Sequence, residues 1–273
     1  MASPKVSIIT ATWNRGHLIG KAIQSALDQS FQDWELIIVG DGPPADTEAT
    51  IREWEKKDAR IRYIPLAHVG RIAIVSSAGL KAARGEYVAI LDDDDWWLDH
   101  EKLAKQVAFL DGHPEYIGCG TWFAAVDSEG NMVAKIKKPL TDEAIRRVAL
   151  SANPIANSSS IFRREAAGYY DESLRQFADW DFWLQAGLKG KLCNLPEYAL
   201  AYRMWQGGSS FANQKQNVDS ALVILRRHRH HYPGYWRAAI LVHAYWVYAR
   251  FPLFIRKGLN GTLSRIKKFI FSR

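Results

Sequence analysis

The first third of the chain alternates between two periods, and that alternation limits the fold more than any other feature. Val6 to Thr10, Glu35 to Val39, Ile61 to Ile64 and Tyr87 to Leu91 are short, mostly apolar runs, as expected of strands buried on both faces. Between them, Leu18 to Gln29, Thr47 to Lys57 and Ala73 to Ala83 carry apolar residues at helical spacing; Leu18, Ala22, Ile23, Ala26 and Leu27 share one face of the first. Strands joined through helices pair in parallel, with the crossovers covering both faces of one sheet. Such α/β sheets hold ligands outside the carboxyl ends of their strands, so the residues that follow each strand are the ones to read for chemistry.

The middle of the chain has a different pattern. Tyr116 to Ala125 and Met132 to Ile136 read as strands around a turn at Ser128-Glu129-Gly130-Asn131, and Ser158 to Arg163 as another. Asp179 to Leu188 reads as an aromatic-rich helix, followed by two short strands, Leu192 to Leu195 and Ala199 to Met204. Apolar residues make up 48% of the 273 and charged residues 24%, which excludes a disordered chain. Cys119 and Cys193 are the only cysteines, too few for a disulfide framework or a zinc site, so a reducing compartment is expected. Met1 leads almost at once into a strand, and no signal peptide is expected.

Asp92-Asp93-Asp94-Asp95 follows the fourth strand directly. Four adjacent carboxylates repel one another, and a half-buried place tolerates them when a cation or hydrogen-bond donors neutralise them. Mg²⁺ and Mn²⁺ favour such oxygens and share their coordination sphere with substrate phosphates. A solvated acidic turn leading into a helix near Asp99 would use the same residues. Asp41 follows the second strand, and Trp13 and Asn14 follow the first. A carboxylate there can accept the imide N–H of a uracil and an indole can stack on the base, although Asp41-Gly42 is also a turn sequence and Trp13 also a core residue type.

Residues 6–15 (VSIITATWNR), 22–31 (AIQSALDQSF), 34–42 (WELIIVGDG), 82–95 (AARGEYVAILDDDD) and 178–184 (ADWDFWL) together resemble the ordered motifs of the family 2 glycosyltransferases, inverting enzymes of the GT-A fold, over roughly residues 4 to 210. The resemblance implies a Rossmann-like, mostly parallel central sheet flanked by helices. It implies a donor half at 1–115, an acceptor half at 116–212 and a helical, basic extension at 213–273. By position, Ala11, Trp13 and Asp41 match the nucleobase contacts and Asp92 the ribose and metal region, with Asp93 beside it among the nucleotide-sugar-binding residues. Asp92 and Asp94 match the ligands of a Mn²⁺ or Mg²⁺ ion bridging the diphosphate, and Asp179 the general base. The donor implied is a nucleotide-sugar, most often a UDP-sugar, and the acceptor a glycan or lipid-linked glycan. Trp180 beside the base suits stacking on an acceptor sugar. Four positions depart from the family pattern. Gly40 stands for the first of two aspartates. Ile74-Val75-Ser76-Ser77 stands for an Ala-Arg-Asn run, with Arg71 as a substitute contact. Ala178 stands for a Glu, and Trp205 for a His whose place Gln206 or Ser209 can take.

The charge distribution adds a partner. No Asp or Glu follows Asp219, while the last 54 residues hold 11 of the 36 Lys and Arg; the first 219 residues carry 25 basic and 29 acidic side chains, a net of −4. Tyr235 to Phe254 is apolar and aromatic but interrupted by His243, Arg250 and Pro252, so it is a poor membrane span. Leu259, Leu263, Ile266 and Ile270 share one helical face with Arg265, Lys267 and Lys268 around it, the pattern of a helix lying on an anionic membrane, or of one folded back on the body. The expected location is cytoplasmic, peripheral at the membrane. A nucleic-acid binder is disfavoured by the acidic body and apolar tail. A nucleotidyltransferase would need a Gly-rich basic loop, which Trp13-Asn14-Arg15-Gly16-His17 does not resemble. A non-catalytic nucleotide- or sugar-binding relative is the other alternative.

Overall fold

In the computed structural model of the protein the described residues are 3–204 and 214–249. The alternating first third forms β1 (Val6–Thr12), α1 (Gly16–Leu27), β2 (Trp34–Asp41), α2 (Ala45–Lys57), β3 (Ile61–Leu66), α3 (Ile72–Ala82) and β4 (Tyr87–Ile90). The four strands are parallel, in the order β3-β2-β1-β4, and every residue of β1, β2 and β4 is buried. Neighbouring residues serve opposite faces. Ile8, Leu36 and Ile38 pack with Ile19 and Ile23 of α1 and Ile51 of α2. Ile9, Ile37 and Val39 pack with Val75 and Leu80 of α3.

Beyond β4 come β5 (Trp96–Trp97), α4 (Lys102–Gly112), β6 (Tyr116–Val126), β7 (Met132–Ile136), α5 (Asp142–Val148), a single 3₁₀ turn at Asn157–Ser159, β8 (Ile161–Arg163), α6 (Arg164–Ala167), α7 (Ala178–Ala186) and β9 (Lys191–Arg203). The same sheet continues through them as β4-β8-β6-β9-β5, with β7 paired to β6. Here β8 runs antiparallel to β4 and β6, β6 runs parallel to β9, and β5 is antiparallel to β9. The two short strands expected after residue 191 are one strand. Its register against β6 jumps from Thr121↔Leu195 to Trp122↔Tyr198, leaving Pro196 and Glu197 out of the ladder. Pro has no N–H for the ladder and is accommodated at such irregularities. Cys119 and Cys193 face each other in that pairing as buried free thiols.

The C-terminal part contributes α8 (Gln214–His228) and α9 (Tyr235–Ala249). Ala221, Ile224 and Leu225 of α8 and Ala238 of α9 enter the same core as Phe182 and Trp183 of α7. The segment from Leu259 to Phe271, Trp205, Gln206 and Ser209 lie outside the described residues.

At the amino end of the parallel strands, Glu35 ties several segments together. Its carboxylate, only 3% exposed, accepts hydrogen bonds from Ser7 Oγ (2.8 Å), Arg62 (2.6 Å) and Arg84 (2.7 Å), while Ser7 Oγ accepts from the Gly85 N–H (2.8 Å). Burial alone would raise this carboxyl; the hydrogen bonds from Arg84, Arg62 and Ser7 outweigh it and hold the group below its ordinary value. Breaking a buried pair costs about 3–5 kcal/mol, and the partly exposed arginines put Glu35→Gln nearer about 2 kcal/mol in chemical denaturation at neutral pH. Because the native value is depressed, this stability is present above the unfolded carboxyl value and is lost as pH falls through the native one. The gap between Glu35→Gln and the wild type therefore closes in acid; a gap independent of pH contradicts this account.

Candidate functional site

The carboxyl ends of β1, β2 and β4 open on one edge of the sheet, and most of the expected donor-side residues stand there. Ala11 is buried near the end of β1, while Trp13 is 47% exposed and stacks on His68, with ring centroids 5.0 Å apart and planes at 24°. Asp41 closes β2. Its two carboxylate oxygens accept the backbone N–H groups of Val69 (2.6 Å) and Gly70 (2.9 Å), and His68 Nδ1 lies 3.2 Å from Oδ2. Asp41 thus anchors the loop after β3, and a base N–H would share its remaining lone pairs. The absence of an aspartate at position 40 has a steric reason: a Cβ there would lie 2.6 Å from the Tyr63 hydroxyl. Gly42 turns the chain at φ +57°, a conformation that favours glycine. Arg71 stands, partly buried, at the N-cap position of α3.

The four aspartates differ in their surroundings. The Asp92 N–H donates to Ser158 Oγ (3.2 Å), and Asn157 Nδ2 reaches Asp92 Oδ1 at 3.5 Å. Arg15 binds two of the four, with Asp93 Oδ1 at 2.6 Å and Asp94 Oδ2 at 3.0 Å. Asp95 accepts the Arg203 N–H (2.8 Å), and Arg203 Nε donates to the Asp94 carbonyl (3.1 Å). Burial, with Asp94 repulsion added, raises Asp92; burial raises Asp93 to about 6 despite Arg15, and raises Asp95 strongly. The cluster is thus short of positive charge. Among the described residues no three His, Cys, Asp or Glu side chains converge as a metal site. A hard divalent ion needs only one or two carboxylates when a diphosphate supplies the remaining oxygens, so Asp92 and Asp94 fit a shared ion and not a closed protein cage.

Asp179 lies in the first turn of α7, behind Phe177, whose φ of 59° is left-handed and costly for a bulky residue. Asn153 Nδ2 donates to Asp179 Oδ2 at 2.6 Å, and the Asn153 carbonyl accepts from Lys138 Nζ at 2.8 Å. Burial raises Asp179; the Trp180 N–H and its own N–H at the helix start, Lys138 and Asn153 offset part of that. Burial pushes Lys138 down to about 8, against the pull of Asp179. The charge of Asp179 adds a small contribution, behind burial and Asp94, to raising Asp92.

The tryptophans beside these carboxylates belong to the interior. Trp180 is 7% exposed and its indole N–H donates to the Ala149 carbonyl at 2.7 Å, so the expected acceptor-stacking face is covered by the core. Trp96 and Trp97 are buried in β5, and Phe182 and Trp183 pack into the core as their helical positions suggest. Arg15, Asn153 and Lys138 have no local signal in the sequence, because their partners lie 78, 26 and 15 positions away.

The sequence profile of Glycosyl transferase family 2 matches residues 7–170. The chain belongs to that family. A glycosyltransferase of Methanocaldococcus jannaschii, itself uncharacterized, is 29% identical over 84% of this chain and 80% of its own length. The fold is shared with TarS of S. aureus in complex with UDP-GlcNAc (TM-score 0.67, 21% identity, 81% of this chain and 66% of that one). It is shared also with the mannosyltransferase PcManGT of Pyrobaculum calidifontis in complex with GDP-Man and Mn²⁺ (TM-score 0.65, 16% identity, 97% and 81%).

In this family 2 glycosyltransferase the helix that carries Asp179 is also the dock for the C-terminal part. Asp181, two positions after Asp179 and fully buried, binds Arg227 (2.6 Å) and His228 Nε2 (2.9 Å) of α8; Arg227 also reaches Asp171 (2.7 Å), and the Tyr232 hydroxyl donates to the Leu184 carbonyl (2.7 Å). His228 is committed to this contact. Asp181→Asn removes one of two countercharges from a partly exposed Arg227 and the charged partner of His228, and is expected to lower stability by about 2 kcal/mol in urea titration. An unchanged unfolding midpoint would mean that α8 docks without the pair.

Proposed function

We propose that this glycosyltransferase carries out a metal-dependent, inverting transfer from a nucleotide-sugar, with a UDP-sugar as first choice, to a hydroxyl of a glycan or lipid-linked glycan. Residues 1–115 hold the donor and 116–212 the acceptor. The observation that carries the reading is the Asp179 carboxylate, held by Asn153 at 2.6 Å in the first turn of α7, in a chain whose four aspartates follow β4. The complexes of TarS with UDP-GlcNAc and of PcManGT with GDP-Man and Mn²⁺ support a nucleotide-sugar and a divalent ion.

The acceptor hydroxyl oxygen attacks the anomeric carbon while Asp179 takes its proton. The bond from that carbon to the diphosphate oxygen breaks, and the electron pair leaves with the nucleoside diphosphate. A single displacement with one base and no enzyme nucleophile inverts the anomeric configuration. Asp92 and Asp94 would hold Mn²⁺ or Mg²⁺, which neutralises charge on the leaving diphosphate. Arg15 orients Asp93 and Asp94, so Asp93 acts on the donor through it. Trp13 offers the base a stacking face, with Ala11 and Asp41 beside it and Arg71 within the same strand-end edge. No described helix is long and apolar enough to cross a membrane; the enzyme works as a peripheral protein at the cytoplasmic face.

A thermal-shift panel of UDP, GDP, CDP and dTDP, each with and without Mn²⁺, tests the donor side. The melting temperature is expected to rise with UDP only when Mn²⁺ is present, and Asp94→Ala is expected to abolish that rise. A larger shift with another nucleotide reassigns the donor, and no shift with any of them favours a non-catalytic binding relative. The base side is tested by pH. Asp179 must be charged to accept a proton and its value is raised, so turnover falls as pH drops through that raised value. Asn153→Ala removes a donor that favours the charged form and is expected to move the acid limb to higher pH, with nucleotide binding intact. An unmoved limb excludes Asn153 from the base.

A further inference from the structure

Helix α9 is apolar on two faces, and the other described residues cover only one. Ala238 is buried, and Tyr235, Ala239 and Val242 pack against the main core. On another face, Trp236 is 77% exposed, Ile240 67% and Val247 49%, with His243 between them. Spacings of four and seven place these residues in one stripe. Single exposed apolar residues need no explanation, but a continuous stripe led by a tryptophan marks a surface that is covered in use.

The charge around the stripe selects the cover. Arg237 adjoins it on α9, and Arg226 and Arg229 are exposed at the end of α8 and just beyond it. No acidic residue follows Asp219, and residues 250–273 add seven more Lys and Arg. A second copy would bring the same positive region against itself, which disfavours self-association through this face. An anionic lipid surface complements both features, taking the apolar stripe at the headgroup boundary and the basic side chains against phosphate. We infer that the exposed face of α9, through Trp236, Ile240 and Val247, docks the enzyme on an anionic membrane surface. The inference rests on the peripheral location proposed above and not on the transfer chemistry. Because α8 and α9 are packed on α7, this docking holds the helix that carries Asp179 in a fixed relation to the membrane, as a lipid-linked acceptor would require.

The test is co-sedimentation of the full chain with vesicles of equimolar phosphatidylglycerol and phosphatidylcholine, beside vesicles of phosphatidylcholine alone. The doubly substituted Trp236→Ser, Ile240→Ser protein keeps every Lys and Arg and alters only exposed side chains, and its thermal melt checks folding. The wild type is expected to bind the anionic vesicles, less so at high salt and weakly on phosphatidylcholine alone. The double variant is expected to bind about tenfold more weakly or worse. The inference is overturned if the variant sediments like the wild type, which leaves binding to the basic segment alone. It is overturned also if the wild type binds neither vesicle, or if light scattering finds a wild-type dimer that the variant disperses. Nucleotide thermal shifts, read on the same proteins, report separately on the donor site.

Discussion

β1 is hydrogen-bonded to β2 on one side and to β4 on the other, and this double pairing fixes where chemistry can occur. The chain leaves β1 toward β2 and β3, then returns to add β4 on the opposite side, so a crevice opens at the carboxyl ends of β1 and β4. Burial of these strands on both faces commits their side chains to packing and leaves the strand ends as the only polar outlets. Trp13, Asp41 and the four aspartates stand at those ends for that reason. Glu35, at the opposite end of the same strands, holds the sheet without entering the chemistry.

The electrostatics of the site follow from the same constraint. Burial first, and charge repulsion after it, raises Asp92, Asp93 and Asp95 at this strand end, and Arg15 with the Arg203 backbone offsets only part of that. A cluster left short of positive charge is suited to a divalent ion arriving with a diphosphate. Asp179, at the start of α7, is raised by burial, and the helix-start N–H groups, Lys138 and Asn153 offset part of that. The left-handed Phe177 stands immediately before α7, so a local backbone cost is held at the entrance to the helix that carries Asp179.

The parallel half of the fold was legible because strands buried on both faces read as unbroken apolar runs. The second half was less so. Trp96–Trp97 is too short for any periodicity to reveal, and β9 was read as two strands because Pro196 breaks the pattern while the backbone continues through an irregularity. Within the site, residues that act through local order, such as the aspartates after β4, were visible in the sequence. Asn153 and Arg15 were not, since nothing near them in the chain distinguishes a surface polar residue from one that reaches a carboxylate across the fold. Trp180 and Asp41 also carry structural contacts that their motif positions do not reveal: the indole N–H donates to Ala149 and the carboxylate accepts from the loop at Val69 and Gly70. Asp181 had the clearest hidden role, because its partners Arg227 and His228 lie 46 and 47 positions away in the chain.

The central claim is that Asp179 alone removes the acceptor proton. Its most direct test is Asp179→Asn, an isosteric change that keeps the hydrogen-bonding shape and removes the base, with donor affinity and turnover measured on the same preparation. The account predicts donor binding within about twofold of the wild type and turnover lower by about 10²–10⁴. Turnover that stays at the wild-type level would contradict it and assign the proton to another group.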